Sequence, residues 1–287
     1  MGMVWTRQMG EARLAVIDEG HGWWPVERAL DGVPESEWRP VVRVDDRDRM
    51  FIGFNLVHIT LPGASILLDT GLGEYGVSDP NKPQVVGGIT LTAGLEAGLA
   101  ELGSGLEDIT HVLITHMHGD HIVGATKTID GRRVPMFPKA RYYVMAEEWR
   151  NSPAPNTMLR EVIPAQMEAL AVAGVVELLE GETEIVPGVT MIPAPGESKG
   201  HAIIRLTTPD GTVFYVGDLF HQPAEFEHLD WIPRYRDREL LVGTRRRLMP
   251  QLAAPNTWII VAHHEFPAIG RAEPAGESYR WIPMPLS

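Results

Sequence analysis

The sequence predicts a mixed α/β fold, built as one domain over residues 1–287. Strand-like and helix-like segments alternate through both halves of the chain. Hydrophobic residues make up 44% of the 287 residues, which is enough for a sizeable core. We find no internal repeat and no low-complexity linker that would divide the chain into separate units.

The first half of the chain contains three strand-like runs and two helical patterns. Apolar and β-branched residues fill positions 51–60 and 65–68, and the Pro-Gly pair between these runs predicts a hairpin. Leucines recur at helical spacing over residues 91–102, and a glycine follows as a stop signal. A short apolar run at 111–115 predicts a buried strand, and the apolar stretch from Ile122 predicts the start of the next helix.

The second half repeats this alternation. The predicted strands cover residues 141–145, 189–192, 202–207, 213–216 and 258–262, and the predicted helices cover residues 161–173 and 239–252.

Charge and composition exclude several classes of function. The formal net charge of −13 would repel nucleic acids and anionic membranes, so we expect a small-molecule substrate. The chain has no cysteine, which excludes disulfides, thiolate metal sites and cysteine nucleophiles. No signal peptide and no membrane-spanning run is evident, so a cytoplasmic protein is expected, and a homodimer is left open.

Four side chains that can bind metals follow the predicted strand at 111–115 within six positions. They are His116, His118, Asp120 and His121. His116 and His118 are two residues apart in an extended segment, so both imidazoles fall on one face and can share a divalent cation. Asp120 and His121 point elsewhere, and they could hold a second cation nearby.

Five segments resemble those of a known family. Thr115 to His121 (THMHGDH) is similar to the HxHxDH motif of the metallo-β-lactamase superfamily, and residues 68–71 (LDTG) to its DTG motif. Similar stretches are FPKARY at 137–142, Gly-Asp at 217–218 and Ala-His at 262–263. The resemblance covers about residues 51–281 and implies an αββα sandwich, in which two mixed sheets are flanked by helices and the metals lie at one edge between the sheets.

The resemblance also implies roles for individual residues. His116 and His118 would bind the first metal, Asp120, His121 and His263 would bind the second, and Asp218 would bridge the two. His264 is the alternative to His263. We prefer His263 because the family pattern places this ligand directly after a strand.

One position departs from the family pattern. Glu197 stands where the resemblance implies a histidine ligand of the first metal, in the stretch PGESKGH at 195–201. Glu197 could bind the metal itself, His201 could take the role, or the first site could be weak. We favour Glu197, because a carboxylate is a competent ligand for Zn and a better one for Mn or Fe(II).

The expected chemistry follows from a pair of cations. A water molecule that bridges two divalent ions, with zinc expected and manganese or iron as alternatives, loses a proton near neutral pH and becomes a hydroxide nucleophile. Asp120 is the predicted catalytic carboxylate that orients this water. His221 is the second predicted catalytic residue, either bonding the substrate carbonyl or donating a proton, with simple packing as the alternative. Asp69 either fixes a ligand imidazole or is only a turn residue.

The resemblance is closest to the lactonase and organophosphate-hydrolase-like branches of the family. It implies a hydrolase that acts on a lactone or a related carboxylic ester, with phosphotriester hydrolysis as the nearest alternative. Two alternatives lie outside hydrolysis: an iron-dependent oxidoreductase, and a binding protein whose Glu197 marks a decayed metal site.

Overall fold

The computed structural model describes residues 4–75, 85–86, 89–91, 94–154, 157, 159–234 and 236–285. The strands are β1 Val4–Met9, β2 Ala12–Pro25, β3 Arg49–Leu61, β4 Ala64–Leu68, β5 Val85–Val86, β6 Ile89–Leu91, β7 His111–Leu113, β8 Thr126–Ile129, β9 Arg132–Pro135, β10 Arg141–Met145, β11 Val176–Leu179, β12 Thr183–Val186, β13 Val189–Pro193, β14 Ala202–Thr208, β15 Gly211–Tyr215, β16 Thr257–Ile260, β17 Ile269–Ala275 and β18 Ser278–Pro283. The α-helices are α1 Glu27–Leu30, α2 Glu35–Trp38, α3 Gly94–Glu101, α4 Gly119–Ile122, α5 Ala146–Asn151, α6 Ile163–Ala173, α7 Ala224–Glu227 and α8 Arg238–Leu252.

Two large mixed sheets form the centre of the described structure. The first has the strand order β11-β10-β7-β4-β3-β2-β6-β5, with β1 paired to β2. The neighbouring pairs β4-β7, β7-β10 and β10-β11 are parallel, whereas β2-β3 and β3-β4 are antiparallel. The second sheet runs from β12 to β18 in sequence order, and only β15 and β16 pair in parallel among its described strands.

Three apolar layers show how the two sheets and the helices stack. Along β3, Val57 and Ile59 pack into a core shared with the second sheet, while Phe54 and Leu56 face the helices on the other side. This alternation is the two-residue period of a strand buried on both faces. A third core packs α8 against the outer face of the second sheet. The predicted αββα sandwich is therefore confirmed.

Most of the predicted elements are confirmed to within one or two residues at their ends. The strand at 141–145 has the predicted bounds, and the helix predicted at 161–173 runs from Ile163 to Ala173. The helix predicted at 91–102 spans only Gly94–Glu101, because Leu91 belongs to β6 and pairs with Gly20 of β2.

The helix predicted to begin at Ile122 is wrong. The helix α4 ends at Ile122, and a 3-10 turn follows over Val123–Ala125. The backbone N–H of Gly124 donates to the carbonyl oxygen of Gly71 at 2.9 Å, so it is not available to continue the helix. A side chain on Gly124 would meet the carbonyl oxygen of Thr70, which explains the glycine.

The N-terminal strands β1 and β2 were not predicted. Together with β3 they form an antiparallel meander at the side of the first sheet. In the part of the chain that the structure describes, no helix has the length and apolar character needed to cross a membrane.

Candidate metal centre

The predicted metal motif lies at an edge where strands of both sheets end. β7 is parallel to β4 and β10, and the motif at 115–121 follows its carboxyl end. In the second sheet, Asp218 follows the end of β15 and His263 follows the end of its parallel neighbour β16. Glu197 lies in the loop between β13 and β14. Because parallel neighbours present their carboxyl ends at the same edge, these loops converge.

The structure brings the seven predicted ligands together in two adjoining groups. The first group is His116, His118, Glu197 and Asp218, and the second is Asp120, His121 and His263. Within each group, one ligand atom from every side chain lies within 4.8 Å of the others. All seven side chains are buried.

Asp218 lies between the two groups. Its Oδ1 atom is 3.1 Å from Nε2 of His121 and 3.0 Å from Nε2 of His263. Its Oδ2 atom is 3.5 Å from Nε2 of His116. Asp120 completes the second group, with its Oδ2 atom 3.5 Å from Nε2 of His263. One carboxylate therefore faces imidazoles of both groups.

Although some of them lie within 3.5 Å of Asp218, several buried atoms of this cluster make no hydrogen bond of acceptable angle among the described residues. They are the Nε2 atoms of His116, His118, His121 and His263 and the Oδ1 atom of Asp218. Buried polar atoms are nearly always hydrogen-bonded, so lone pairs that converge in this way need another explanation. Imidazole nitrogens and carboxylate oxygens are the donors that zinc, manganese and iron accept. The residues fit a pair of divalent cations.

The charge states of the first group suit cation binding, whereas in the second group the carboxylates of Asp218 and Asp69 outweigh burial and raise the pKa of His121. Burial and the neighbouring imidazoles lower the pKa of His116, and burial together with the Arg236 guanidinium lowers the pKa of His118. Burial opposes ionisation of Asp218, but the facing imidazoles, led by His263, hold its pKa well below the usual range. The first group thus offers neutral imidazoles beside an anionic carboxylate.

The second group is braced by Asp69, at the end of β4. Its Oδ2 atom accepts hydrogen bonds from Nδ1 of His121 at 2.8 Å and from the Tyr215 hydroxyl at 3.0 Å. Its Oδ1 atom accepts from the backbone N–H of Thr115 at 2.7 Å. Of the two roles considered for Asp69, the structure shows the hydrogen bond to a ligand imidazole. Nδ1 of His263 is held similarly, 2.9 Å from a carbonyl oxygen of β3.

The first group is braced by Glu148, which the sequence analysis missed. Its Oε1 atom accepts from the backbone N–H of Met117 at 2.8 Å. Its Oε2 atom accepts from the Ser198 hydroxyl at 2.6 Å and from the backbone N–H of Gly200 at 3.0 Å. One buried carboxylate thereby ties the motif loop to the loop that carries Glu197. No local pattern distinguishes Glu148 from other acidic residues in helices.

Glu197 belongs to the first group and has a cationic partner. Its Oε1 atom is 3.5 Å from Nδ1 of His118 and forms a short ion pair with Nη2 of Arg236. Nη1 of Arg236 also donates to the backbone carbonyl oxygen of Glu197 at 2.8 Å. Arg236 was not predicted from the sequence either, because nothing local links it to a residue 39 positions earlier.

The alternatives His201 and His264 lie outside both groups. Nδ1 of His201 lies 3.1 Å from the carbonyl oxygen of Ala194, and its Nε2 atom accepts from the backbone N–H of Asp218 at 3.1 Å. Both ring nitrogens of His201 are thus engaged with the backbone, and burial lowers its pKa to about 4. The His264 ring packs against Trp281 instead, with the ring centroids 6.2 Å apart.

His221 lies beside the junction of the two groups. Its Nε2 atom is 3.3 Å from Oδ2 of Asp218, and its ring stacks on His263 at 5.4 Å. Burial would lower the pKa of His221, but the carboxylate of Asp218 raises it to about 9. Its backbone N–H donates to Glu225, which forms a buried ion pair with Arg245.

A cavity of about 450 Å³ opens beside the first group. Its walls include Glu197, Arg236, Glu148, Lys199 and Leu240. Among its described lining residues, Glu197 is the member of the two groups that borders the cavity.

Comparison with known proteins agrees with this architecture. The chain is 28% identical over 226 residues to the "Probable metallo-hydrolase Rv2300c" of Mycobacterium tuberculosis, covering 69% of this chain and 70% of the relative. It is 26% identical over 192 residues to an N-acyl homoserine lactonase of Bacillus cereus, covering 64% of this chain and 70% of that protein.

Solved structures show the same fold. AidC, a dizinc quorum-quenching lactonase, superimposes with a TM-score of 0.82 at 21% identity, covering 99% of this chain and 98% of that one. The "probable metal-dependent hydrolase from Staphylococcus aureus" superimposes with a TM-score of 0.80 at 22% identity, covering 98% of this chain and 100% of that one. The family model of the metallo-beta-lactamase superfamily matches residues 55–263, which include every residue of the two groups. The chain belongs to the metallo-beta-lactamase superfamily.

Proposed function

We propose that this protein is a metal-dependent hydrolase that opens a lactone or cleaves a related carboxylic ester. The observation that carries the proposal is the convergence of seven buried ligand side chains in two groups around Asp218, with several lone pairs unbonded. The lactonases among its relatives and structural neighbours support the substrate class.

The proposed ligand assignment follows the two groups. His116, His118 and Glu197 hold the first cation, Asp120, His121 and His263 hold the second, and Asp218 contacts both. Glu197 is preferred to His201, because both ring nitrogens of His201 are engaged with the backbone. When bound, divalent cations polarise the ester carbonyl and make a water molecule more acidic.

The side chains of the protein supply orientation and a proton. Asp120 lies in the second group with its Oδ2 atom facing His263, where it can accept a hydrogen bond from a water molecule and orient it. His221 contacts Asp218 as well, with its Nε2 atom 3.3 Å from Oδ2 of that carboxylate. We propose that His221 donates a hydrogen bond to the substrate carbonyl or a proton to the departing alkoxide.

A metal count and a substrate panel test this proposal. The protein, purified and reloaded with zinc or manganese, is analysed by mass spectrometry for metal and assayed on acyl-homoserine lactones, γ-lactones, aryl esters and a phosphotriester. We expect two metals per chain and a kcat/KM for a lactone or ester at least about 100-fold above that for the phosphotriester. Preference for the phosphotriester, or no turnover with two metals bound, would refute it.

A substitution at His221 tests the proposed proton donor. For His221→Gln we expect kcat to fall by about 100-fold, since general acid catalysis contributes about 10²–10⁴-fold, while the metal content stays at two per chain. His228→Gln, a change to a histidine that stacks on Trp231 away from the cluster, is the control. Unchanged kcat in the His221 variant would return that residue to a packing role.

A further inference from the structure

We propose that Arg236 is a positioning residue that sets the affinity of the first group for its cation by balancing the charge of Glu197. The inference rests on the proposed function, because it requires the first group to bind a divalent cation. It concerns a residue with no place in the predicted ligand set.

Arg236 contacts both the side chain and the backbone of Glu197. The guanidinium makes an ion pair with the carboxylate through Nη2 and donates to the backbone carbonyl of the same residue through Nη1. Both side chains are withdrawn from solvent, with 14% of the Arg236 side chain and none of the Glu197 side chain exposed. A planar guanidinium that grips both the side chain and the backbone fixes the carboxylate in one orientation.

The positive charge of Arg236 offsets the negative charge that Glu197 adds to the cluster. A glutamate in place of a neutral histidine adds one buried negative charge to a cluster that already contains Asp120 and Asp218. Arg236 adds one positive charge beside it, so the pair carries the same net charge as a neutral histidine. Among the described residues, no other arginine or lysine forms an ion pair with Glu197. Lys199, also in the cavity wall, instead donates to Asn151 at 3.2 Å.

The charge of Arg236 lowers the affinity of the first group for a cation. A divalent cation at the first group is attracted by Glu197 and repelled by Arg236, and neither effect is well screened in a buried site. Removing Arg236 leaves an unbalanced carboxylate that destabilises the metal-free protein, and a bound cation relieves that penalty. The Arg236→Gln variant should therefore be less stable without metal and bind the first cation more tightly. A purely structural role predicts weaker binding.

A double-mutant cycle at Glu197 and Arg236 tests this sign. Wild type, Glu197→His, Arg236→Gln and the double variant are loaded with zinc, and the dissociation constant of the first cation is measured by competition with a chelator. We expect Glu197→His to bind about tenfold more weakly than the double variant, which has the same net charge at the pair as wild type. We expect Arg236→Gln to bind about tenfold more tightly than wild type.

A charge-preserving variant separates the effect of the Arg236 charge from the effect of its shape. Arg236→Lys preserves the charge and should bind the first cation within about threefold of wild type, so it separates charge from shape. If Glu197→His does not fold, the comparison of wild type, Arg236→Gln and Arg236→Lys still decides. Weaker or unchanged affinity in Arg236→Gln overturns the inference. A wild-type protein that never binds a first cation overturns the ligand assignment itself.

Discussion

The two ligand groups are supported in different ways. In the second group, His121 and His263 turn their Nδ1 atoms toward Asp69 and toward a carbonyl oxygen of β3, which belong to strands or strand ends of the first sheet. In the first group, Glu148 and Arg236 lie beside the loops. Among the described residues of this group, only His116 also reaches Asp69, through the Thr115 hydroxyl 3.1 Å from its Nδ1 atom. The second group is thus supported by the core between the sheets, whereas the first group is supported partly from that core and partly at the wall of a cavity.

This difference bears on Glu197, where the sequence predicts a departure from the family pattern. A ligand held by core strands cannot change its type without disturbing the packed interior around Asp69 and Tyr215. A ligand held by a loop can change if a neighbouring side chain compensates, as Arg236 does for Glu197. We infer that the second group is the more rigid of the two and that the first group is where metal affinity can vary.

The largest expected effect comes from removing the brace of the second group. Asp69→Ala removes the acceptor of Nδ1 of His121 and of the N–H of Thr115, and it leaves the Tyr215 hydroxyl with the carbonyl oxygen of Asn55 at 3.3 Å. We expect the affinity for the second cation to fall by about 10- to 100-fold, as is usual when a hydrogen-bond partner of a metal ligand is lost. Chelator competition and metal analysis measure the effect.

The exposed Asp46, changed to alanine, is the control for Asp69→Ala. We expect its metal content and activity to match wild type. If Asp69→Ala weakened both cations equally, the two groups would not be separately supported and the comparison would fail.

A smaller effect, confined to the first group, is expected for Glu148→Gln. The amide keeps the shape of the carboxylate, but its NH₂ group faces an N–H or O–H donor and cannot accept from it. We expect the first cation to bind about tenfold more weakly and the second to be unaffected. Metal titration with a spectroscopically active ion, such as cobalt, would resolve the two sites.

Glu147→Gln is a matched control, since Glu147 is the exposed neighbour of Glu148 in α5. It should leave both affinities unchanged. Loss of the second cation rather than the first in Glu148→Gln would show that the clamp between the two loops has been assigned to the wrong group.

The same contrast separates what the sequence could predict from what it could not. The four residues from His116 to His121 are close in sequence, and Asp218 and His263 directly follow predicted strands, so local patterns and family resemblance indicated them. Glu148 and Arg236 contact the site only through tertiary structure, across 31 and 39 residues of chain. Neither has a local pattern that would mark it.

Errors in the predicted elements have a related cause. The helix expected from Ile122 fails because the backbone of Gly124 bonds to Gly71, a contact between distant segments. The strands β1 and β2 were not recognised among the first residues, although β2 also carries the buried Glu19 near the site. Periodicity predicted the strands and helices, and the family resemblance implied their layers, whereas these long-range contacts could be found only in the structure.

The smallest effect on activity is expected for a substitution of Glu19, which bonds to the turn that follows Asp69. Both carboxyl oxygens accept from the backbone N–H of Leu72, at 3.0 and 3.2 Å. Burial raises the pKa of Glu19 from the ordinary 4.5 to about 8, and the charge of Asp120 adds to the shift. The folded protein therefore binds this proton more tightly than the unfolded chain. The contribution of Glu19 to the stability of the metal-free protein should fall as the pH rises from about 4.5 to about 8, by at most about 1.4 kcal/mol per pH unit.

Glu19→Gln removes this titration and keeps an oxygen that can accept from Leu72. Urea unfolding of the metal-free protein at pH 5, 6.5 and 8 should show a shallower loss of stability with pH in the variant than in wild type, while kcat of the metal-loaded enzyme changes by less than about threefold. That result would show that the protonated Glu19 carboxyl is one more buried group that supports the second group. If the stability of the two proteins changed equally with pH, the Glu19 carboxyl would be ionised from pH 5 to pH 8. The second group would then be supported by a buried charge, as the first group is supported by Arg236.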